Sequence, residues 1–123
     1  MRLYKSVRFL YTRSQEQFCH IIDYQDIDKF GTQSGLAPGK KNLLFFGLIR
    51  TYKGLDILLE AFGKLSDEYQ LIIAGEPYGS FDKYQEIIDR LPGKDRIFMD
   101  LKYIKDSEVT DYFSAADLAV LPY

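Results

Sequence analysis

Two permanently charged side chains, Arg50 and Lys53, lie in the glycine-bounded segment Gly47-Leu-Ile-Arg-Thr-Tyr-Lys-Gly54, directly before a predicted helix. The amino-terminal end of a helix carries roughly half a positive charge, so a cation there costs about 0.3 to 1 kcal/mol unless an anion lies nearby. A phosphate group would reverse that sign, because it accepts hydrogen bonds from backbone N–H groups and pairs with both side chains. The segment therefore predicts an anion site. The alternative is that both side chains point into water, where their flexibility relieves most of the repulsion.

This segment matches neither of two well-known phosphate-binding motifs. It lacks the Gly-Lys-Ser/Thr ending of a P-loop, and its glycines do not have the G-x-G-x-x-G spacing of dinucleotide-binding loops. Gly47 alone is also compatible with an ordinary turn that ends a strand. The nature of the anion therefore has to come from the surrounding elements.

Apolar periodicity places the segment between a strand and a helix. Residues 43–46 are a short apolar run without alternation, typical of a buried parallel strand. Apolar residues then recur at helical spacing from Leu55 to Leu65. The same unit repeats, with further predicted strands at 69–74, 96–99 and 118–121 and further predicted helices at 81–91 and 106–116.

Four short strands alternating with three helices predict an α/β fold, a Rossmann-like doubly wound parallel sheet with right-handed crossovers. Such sheets bind ligands beyond the carboxyl ends of their strands. This rule predicts that a ligand site is lined by the segments 47–53, 75–78, 99–105 and 122–123. The strand at 118–121 is expected to lack a flanking strand in this chain and to present an open apolar edge, which predicts self-association there.

Residues 1–40 are interpreted as an N-terminal linker or partial segment, preceding a partial domain at 41–123. The turn-rich run 31–39 predicts a linker or long loop, residues 7–11 a short strand and residues 14–22 a short helix. Cys19, the single cysteine, is expected to be structural, and His20 to be a surface residue or a satisfied core residue.

Composition limits the classes of function. The net charge is −2, from 16 basic and 18 acidic residues, and the basic residues are scattered, which argues against nucleic-acid binding. No apolar run approaches the roughly 18 to 20 residues that span a bilayer, and no signal-peptide core follows Met1. A single cysteine fits a reducing compartment. We expect a cytoplasmic location, with any peripheral membrane contact made through segments outside this chain.

Three blocks of the chain resemble the donor domain of retaining glycosyltransferases of glycosyltransferase family 4, also called glycosyl transferases group 1. The blocks are 45–62, which carries Arg-Thr-Tyr-Lys-Gly, then 71–76 and 112–123. The resemblance covers residues 43–123 and implies the first half of a GT-B C-terminal domain, in a fold where two Rossmann-like domains face each other. It also implies a truncated enzyme. The family's two glutamates separated by seven residues would follow Pro122-Tyr123, and the acceptor-binding domain is not in this chain.

In that family the loop after the first strand holds the diphosphate of a nucleotide-sugar donor. The resemblance therefore implies catalytic roles for Lys53 and Arg50, which would meet the charge developing on the leaving nucleoside diphosphate. Arg50 departs from the common pattern, in which the arginine directly follows the glycine and this chain has Leu48. The donor-binding residues implied are Gly47, Gly54, Gly75, Glu76, Tyr103 and Ile104.

The reaction implied by the resemblance is transfer of a hexosyl group to a glycan or lipid-linked acceptor, as in polysaccharide biosynthesis. It needs no metal or other cofactor, because cationic side chains and a helix dipole neutralise the diphosphate. The acceptor would bind through the domain outside this chain, so we expect the chain to be inactive alone.

Two other hypotheses remain open at this stage. One is a non-catalytic Rossmann-like binding or signalling module, since a fold does not determine a function. A phosphoacceptor receiver could use Asp100, but it would need acidic residues where the first loop is basic. The other is a non-catalytic subunit or fragment that keeps nucleotide affinity without turnover.

Overall fold

The computed structural model describes residues 4–11, 16–23 and 36–122. Within these residues, six strands form one sheet in the order β2-β1-β6-β3-β4-β5. The strands are β1 (Tyr4–Tyr11), β2 (Glu16–Asp23), β3 (Lys41–Phe46), β4 (Tyr69–Ala74), β5 (Ile97–Asp100) and β6 (Leu118–Leu121). The helices are α1 (Leu55–Phe62), α2 (Asp82–Arg90) and α3 (Asp106–Ala115), with short 3₁₀ turns at Thr51–Lys53 and Lys94–Arg96. In this part of the chain no helix is long and apolar enough to cross a membrane.

The four strands predicted between residues 41 and 121 are confirmed and run parallel. β3 pairs with β4 over six residues, and β4 with β5 over four. β6 pairs with the other side of β3. Parallel pairing buries both faces of a strand, which explains why β3 and β4 are nearly continuous apolar runs.

Helices cover both faces of this sheet. α1 and α2 pack on one face, against the side chains of Leu43, Phe45, Leu71 and Ile73. α3 packs on the opposite face, and its core includes Leu44, Ile72, Ala74, Tyr112, Ala115 and Ala116. The alternation of buried side chains along β3 and β4 therefore supplies two cores, as in a doubly wound fold. This arrangement aligns the carboxyl ends of β3, β4 and β5 at one edge.

The two amino-terminal strands, β1 and β2, belong to the same sheet. The strand predicted at 7–11 is confirmed within β1, but the helix predicted at 14–22 is wrong. Residues 16–22 lie in β2, which pairs antiparallel with β1 from Tyr4↔Asp23 to Leu10↔Glu16. The local pattern there is weak, and cross-strand backbone pairing outweighs it. Residues 31–35 of the expected loop, Tyr123, and the side chains of Cys19 and His20 lie outside the description.

β6 is an interior strand, so the open edge predicted at residues 118–121 is wrong. β1 pairs with it in parallel from Arg8↔Leu118 to Tyr11↔Leu121, while β3 occupies its other side. In the described sheet the edge strands are β2 and β5. The sequence around β6 carries no sign of this pairing, because the partner strand lies more than a hundred residues earlier in the chain.

A buried amide network closes the amino-terminal end of the sheet. The Gln70 side chain, 2% exposed, donates to Asn42 Oδ1 (2.9 Å) and to the carbonyl of Ala37 (3.1 Å) and accepts from the Ala37 N–H (2.9 Å). Asn42 in turn donates from its side chain to the carbonyl of Ala115 (2.9 Å) and from its backbone to Asp117 (2.7 Å). Every polar atom of the Gln70 amide therefore has a partner, which makes its burial tolerable.

Candidate functional site

A cleft of about 350 Å³ opens at the carboxyl ends of β3, β4 and β5. This is the edge at which doubly wound parallel sheets bind their ligands. Three loops line it, one after each of these strands. The lining residues are Phe46, Gly47, Leu48, Gly75, Glu76, Tyr103 and Ile104. Five of the six residues expected to bind a donor thus meet in one cleft, although they are separated by up to 57 positions in sequence.

The first two loops meet through backbone contact at Gly75. This residue has a φ of 153°, and a β-carbon on it would overlap the carbonyl oxygen of Gly47. The N–H of Gly47 donates to the carbonyl of Ala74 (3.0 Å), and the N–H of Gly75 donates to the carbonyl of Asp100 (3.0 Å). Only glycine combines this conformation with this closeness. The two loops therefore form one continuous wall of the cleft.

The ammonium group of Lys53 lies against this wall. Its Nζ is 3.3 Å from the point where a β-carbon of Gly47 would stand. Lys53 ends the 3₁₀ turn Thr51–Lys53, and its N–H donates to the carbonyl of Arg50 (3.0 Å). In the part of the chain that the structure describes, no carboxylate is within ion-pair distance of Lys53. A positive charge thus borders the cleft without a described acidic partner.

Arg50 follows the cleft-lining Leu48 by two residues, a position that we call the rim of the cleft, and its guanidinium packs on an aromatic ring. Its guanidinium carbon is 4.1 Å from the ring centroid of Tyr78, in the loop after β4. Ile49 ties these loops together, because its N–H donates to the carbonyl of Glu76 and its own carbonyl accepts from the N–H of Tyr78, both at 3.0 Å. The parallel pairing of β3 and β4 therefore resumes beyond the two glycines, as the bridge between Ile49 and Pro77 also indicates.

The two cations precede the helix without lying in its first turn. α1 begins at Leu55, after Gly54 in the left-handed conformation (φ 74°), and Asp56 is the acidic residue of its first turn. Among the residues that the structure describes, no side chain caps this end of α1. The electrostatic preference of the helix end for an anion therefore persists, and the Lys53 ammonium reaches the cleft-lining Gly47 from the preceding turn.

Gly54, the sixth residue expected to bind a donor, does not line the cleft. A β-carbon on it would lie 2.6 Å from the carbonyl oxygen of Pro122, just after β6. Its own carbonyl accepts the N–H of Leu58, the first helical hydrogen bond of α1 (3.1 Å). Gly54 therefore lets the start of α1 pack on the chain that leaves β6, which positions Lys53 only indirectly.

Asp100 and Tyr112 form a hydrogen-bonded pair that holds the cleft-lining Gly75. The sequence alone did not predict this pair. The Tyr112 hydroxyl donates to Asp100 Oδ2 (2.6 Å), while the Asp100 carbonyl accepts the N–H of Gly75. Burial, and then the hydrogen bond to Asp100, raise the pKa of Tyr112 well above its ordinary value, so that it remains a donor. One acidic residue thus ties α3 to the turn at Gly75. The sequence did contain a signal for this pair: Asp100 is a polar residue at the end of a strand, and Tyr112 lies on the buried face of the next helix.

Asp100 is therefore engaged in a structural hydrogen bond, which weakens its candidacy as a phosphoacceptor. Among the described residues, no three His, Cys, Asp or Glu side chains are grouped so that they could hold a metal ion. Among the described residues that line the cleft, the charged side chain is that of the exposed Glu76, and the Lys53 ammonium lies against the cleft-lining Gly47.

Comparison with known proteins gives a consistent family and fold. Residues 26–123 match the family model described as glycosyl transferases group 1. Two curated GDP-mannose:glycolipid 4-beta-D-mannosyltransferases from Xanthomonas campestris pv. campestris are 36% and 35% identical to this chain over 100 residues. The aligned region is 78% of this chain but only 28% of each relative.

A solved structure shares the fold of this chain. It is the C-terminal domain of a glycosyl transferase group 1 family protein, LpcC, from Francisella tularensis. The TM-score is 0.61 at 20% sequence identity, over 81% of this chain and 57% of that one. At this level of identity the likeness shows a shared fold.

Proposed function

The chain belongs to the glycosyl transferases group 1 family and has the fold of a GT-B C-terminal domain, and from this premise we propose that it binds the nucleotide-diphosphate sugar donor of a glycosyl transfer reaction. Lys53 and Arg50 neutralise the diphosphate. The cleft formed by Gly47, Gly75 and the residues around Tyr103 accommodates the nucleoside.

One observation carries this proposal: the Lys53 ammonium lies against Gly47, on the wall of a cleft built from three strand ends. A diphosphate at this wall would meet the ammonium of Lys53 and the guanidinium of Arg50. These groups are in place before the donor arrives, so little reorganisation opposes their interaction with it.

The mechanism follows from where charge develops. When the bond between the sugar and the diphosphate breaks, the leaving oxygen becomes more negative, and nearby cations stabilise that transition state more than the ground state. Lys53, a compact point charge, suits a changing anion geometry, while the planar guanidinium of Arg50 can pair with two oxygens. Both residues therefore favour departure of the nucleoside diphosphate.

The relatives suggest a donor and an acceptor class to test first. Their names specify GDP-mannose and a glycolipid, so we propose a guanosine diphosphate sugar as the first donor candidate and a lipid-linked glycan as the acceptor class. The acceptor would bind outside this chain, which spans 28% of these relatives. Hexosyl transfer by the whole enzyme, a role in polysaccharide biosynthesis and a cytoplasmic location are parts of the same proposal.

Self-association was predicted from an open edge of β6, but β1 pairs with that edge. Self-association therefore stays a prediction that no exposed edge of β6 supports.

Isothermal titration calorimetry with UDP, GDP and ADP tests the proposal. We expect one nucleotide to bind and Lys53→Ala to weaken it by about tenfold to a hundredfold, the range for losing a charge-assisted hydrogen bond. Lys64→Ala is the matched control, because Lys64 is exposed just beyond the carboxyl end of α1. Equal binding by the two variants, or no binding by a wild-type chain with cooperative thermal unfolding, would contradict the proposal.

A further inference from the structure

The contact between Arg50 and Tyr78 joins the loops after β3 and β4 at the rim of the cleft. The ring of Tyr78 lies under the guanidinium of Arg50 at 4.1 Å, although 67% of the tyrosine surface is exposed. An exposed aromatic residue that buries little surface contributes little to the core. Its ring face, however, attracts a cation, which suggests a role for Tyr78 through Arg50.

The backbone places both residues for this contact. The N–H of Ile49 donates to the carbonyl of Glu76, and the carbonyl of Ile49 accepts from the N–H of Tyr78. These two hydrogen bonds form a parallel bridge between Ile49 and Pro77. Arg50 is extended, with φ −126° and ψ 157°. Because side chains alternate along an extended chain and Ile49 points into the core at 1% exposure, Arg50 points to the side of Leu48, which lines the cleft.

A ring holds a guanidinium in a different way from a carboxylate. A carboxylate would occupy the in-plane N–H donors and neutralise the charge that a phosphate needs. A ring under the plane leaves those donors at the edge available and leaves the charge intact. It also limits the conformations of a long, flexible side chain, which lowers the entropy lost when a ligand binds.

We propose that Tyr78 is a positioning residue that holds the guanidinium of Arg50 at the rim of the cleft, ready to pair with the diphosphate of the donor. This inference rests on the proposed function, because it needs a diphosphate at the cleft. Tyr78 acts through Arg50 and does not itself contact the nucleotide.

A double-mutant cycle on nucleotide binding tests this role. The probe is the nucleoside diphosphate that binds the wild-type chain best among UDP, GDP and ADP, measured by calorimetry. We expect Tyr78→Ala to weaken binding about two- to fivefold, the range for an exposed cation–π contact. Tyr78→Phe keeps the ring and should retain wild-type affinity, whereas Tyr78→Leu keeps bulk without a ring and should behave like Tyr78→Ala.

The cycle also separates action through Arg50 from direct contact. If Tyr78 acts through Arg50, the variant with both Arg50→Ala and Tyr78→Ala binds as Arg50→Ala alone does. An equal loss from Tyr78→Ala in both backgrounds, or failure of Tyr78→Phe to restore affinity, would overturn the inference. Ile57→Ala, at another exposed apolar residue, controls for general effects and should bind as wild type.

These outcomes remain distinct from failure of the proposed function. If Lys53→Ala weakens binding as expected while Tyr78→Ala has no effect, the donor site stands and the positioning role is wrong. If the folded wild-type chain binds no nucleoside diphosphate, the donor site is wrong, and the role of Tyr78 falls with it. The thermal midpoint of each variant verifies folding, and we expect little change for Tyr78→Ala because the side chain is exposed.

Discussion

The backbone of Gly75 packs directly against that of Gly47, so closely that a β-carbon on Gly75 would overlap the Gly47 carbonyl oxygen. This contact joins the loops after β3 and β4 into the wall on which the Lys53 ammonium rests. The geometry of the candidate diphosphate site therefore depends on two residues that have no side chains of their own.

Gly75→Ala should damage both stability and the cleft. The new methyl group must displace the Gly47 backbone, and alanine rarely adopts a φ of 153°. We expect a loss of at least about 2 kcal/mol in the free energy of unfolding, from strain and overpacking together, measured by urea denaturation. Gly39→Ala is the control, because Gly39 also has a positive φ (79°) but has open space around it. Equal losses in the two variants would refute the role of the close contact.

Lys53 should act on the diphosphate and not on the nucleoside. If its ammonium pairs with phosphate oxygens, Lys53→Ala will weaken binding of the nucleoside diphosphate by about tenfold or more and leave binding of the matching nucleoside unchanged. Raising the ionic strength should weaken the wild-type interaction more than that of the variant, since salt screens exposed charges. Calorimetry with both ligands at two salt concentrations measures this. A similar loss for the nucleoside would place Lys53 elsewhere in the cleft.

Tyr112 should make stability depend on alkaline pH. Its pKa is raised in the folded state above the ordinary value of 10.0 by burial and by Asp100. Above pH 10 the unfolded chain therefore loses this proton first, and unfolding becomes more favourable by up to about 1.4 kcal/mol per pH unit from this group. The stabilisation is fully present below pH 10 and is lost as pH rises toward the folded-state pKa.

Tyr112→Phe isolates this effect, because it removes the ionisable hydroxyl and keeps the ring. The difference in free energy of unfolding between wild type and Tyr112→Phe should be constant from pH 7 to 9 and should shift in favour of the variant above about pH 10. Denaturant unfolding at each pH measures it. A pH-independent difference up to pH 11 would show that Tyr112 titrates normally.

Gln70 should matter for stability and not for ligand binding, because its amide network lies at the end of the sheet opposite the cleft. Gln70→Leu leaves the Ala37 backbone groups and Asn42 Oδ1 without their buried partner, which we expect to cost about 1 to 3 kcal/mol. Thermal or urea unfolding measures the loss. Nucleotide affinity of the folded variant should equal that of wild type, and a parallel loss of affinity would mean that the two ends of the sheet are coupled.

Several features of the fold and site were predictable because they follow from local patterns. The apolar runs of β3, β4 and β6 and the helical stripe of α1 follow from side-chain periodicity. Once the strands alternate with helices, the carboxyl ends of β3, β4 and β5 must share one edge, which brings Gly47, Gly75 and Tyr103 together. The binding roles of these residues and of Lys53 stay predictions until a ligand is measured.

Other features depended on contacts between residues distant in sequence. Nothing local to residues 118–121 indicates that β1 lies beside β6, and residues 16–22 form a strand through pairing with β1 that their local pattern did not predict. Gly54 belongs to the Lys-Gly pair that resembles the family, yet it packs against the carbonyl of Pro122 and does not line the cleft.

The sequence by itself determined the α/β class, the order of the strands and helices from residue 41 onward, the family resemblance and the presence of two cations before α1. Only the tertiary structure decided which groups hold those cations and shape the cleft: Gly47 beside Lys53, Tyr78 under Arg50, and Asp100 between Gly75 and Tyr112. The physical reason is that periodicity depends on near neighbours along the chain. Ring stacking, backbone contact and buried hydrogen bonds instead depend on distances that exist only after the sheet has formed.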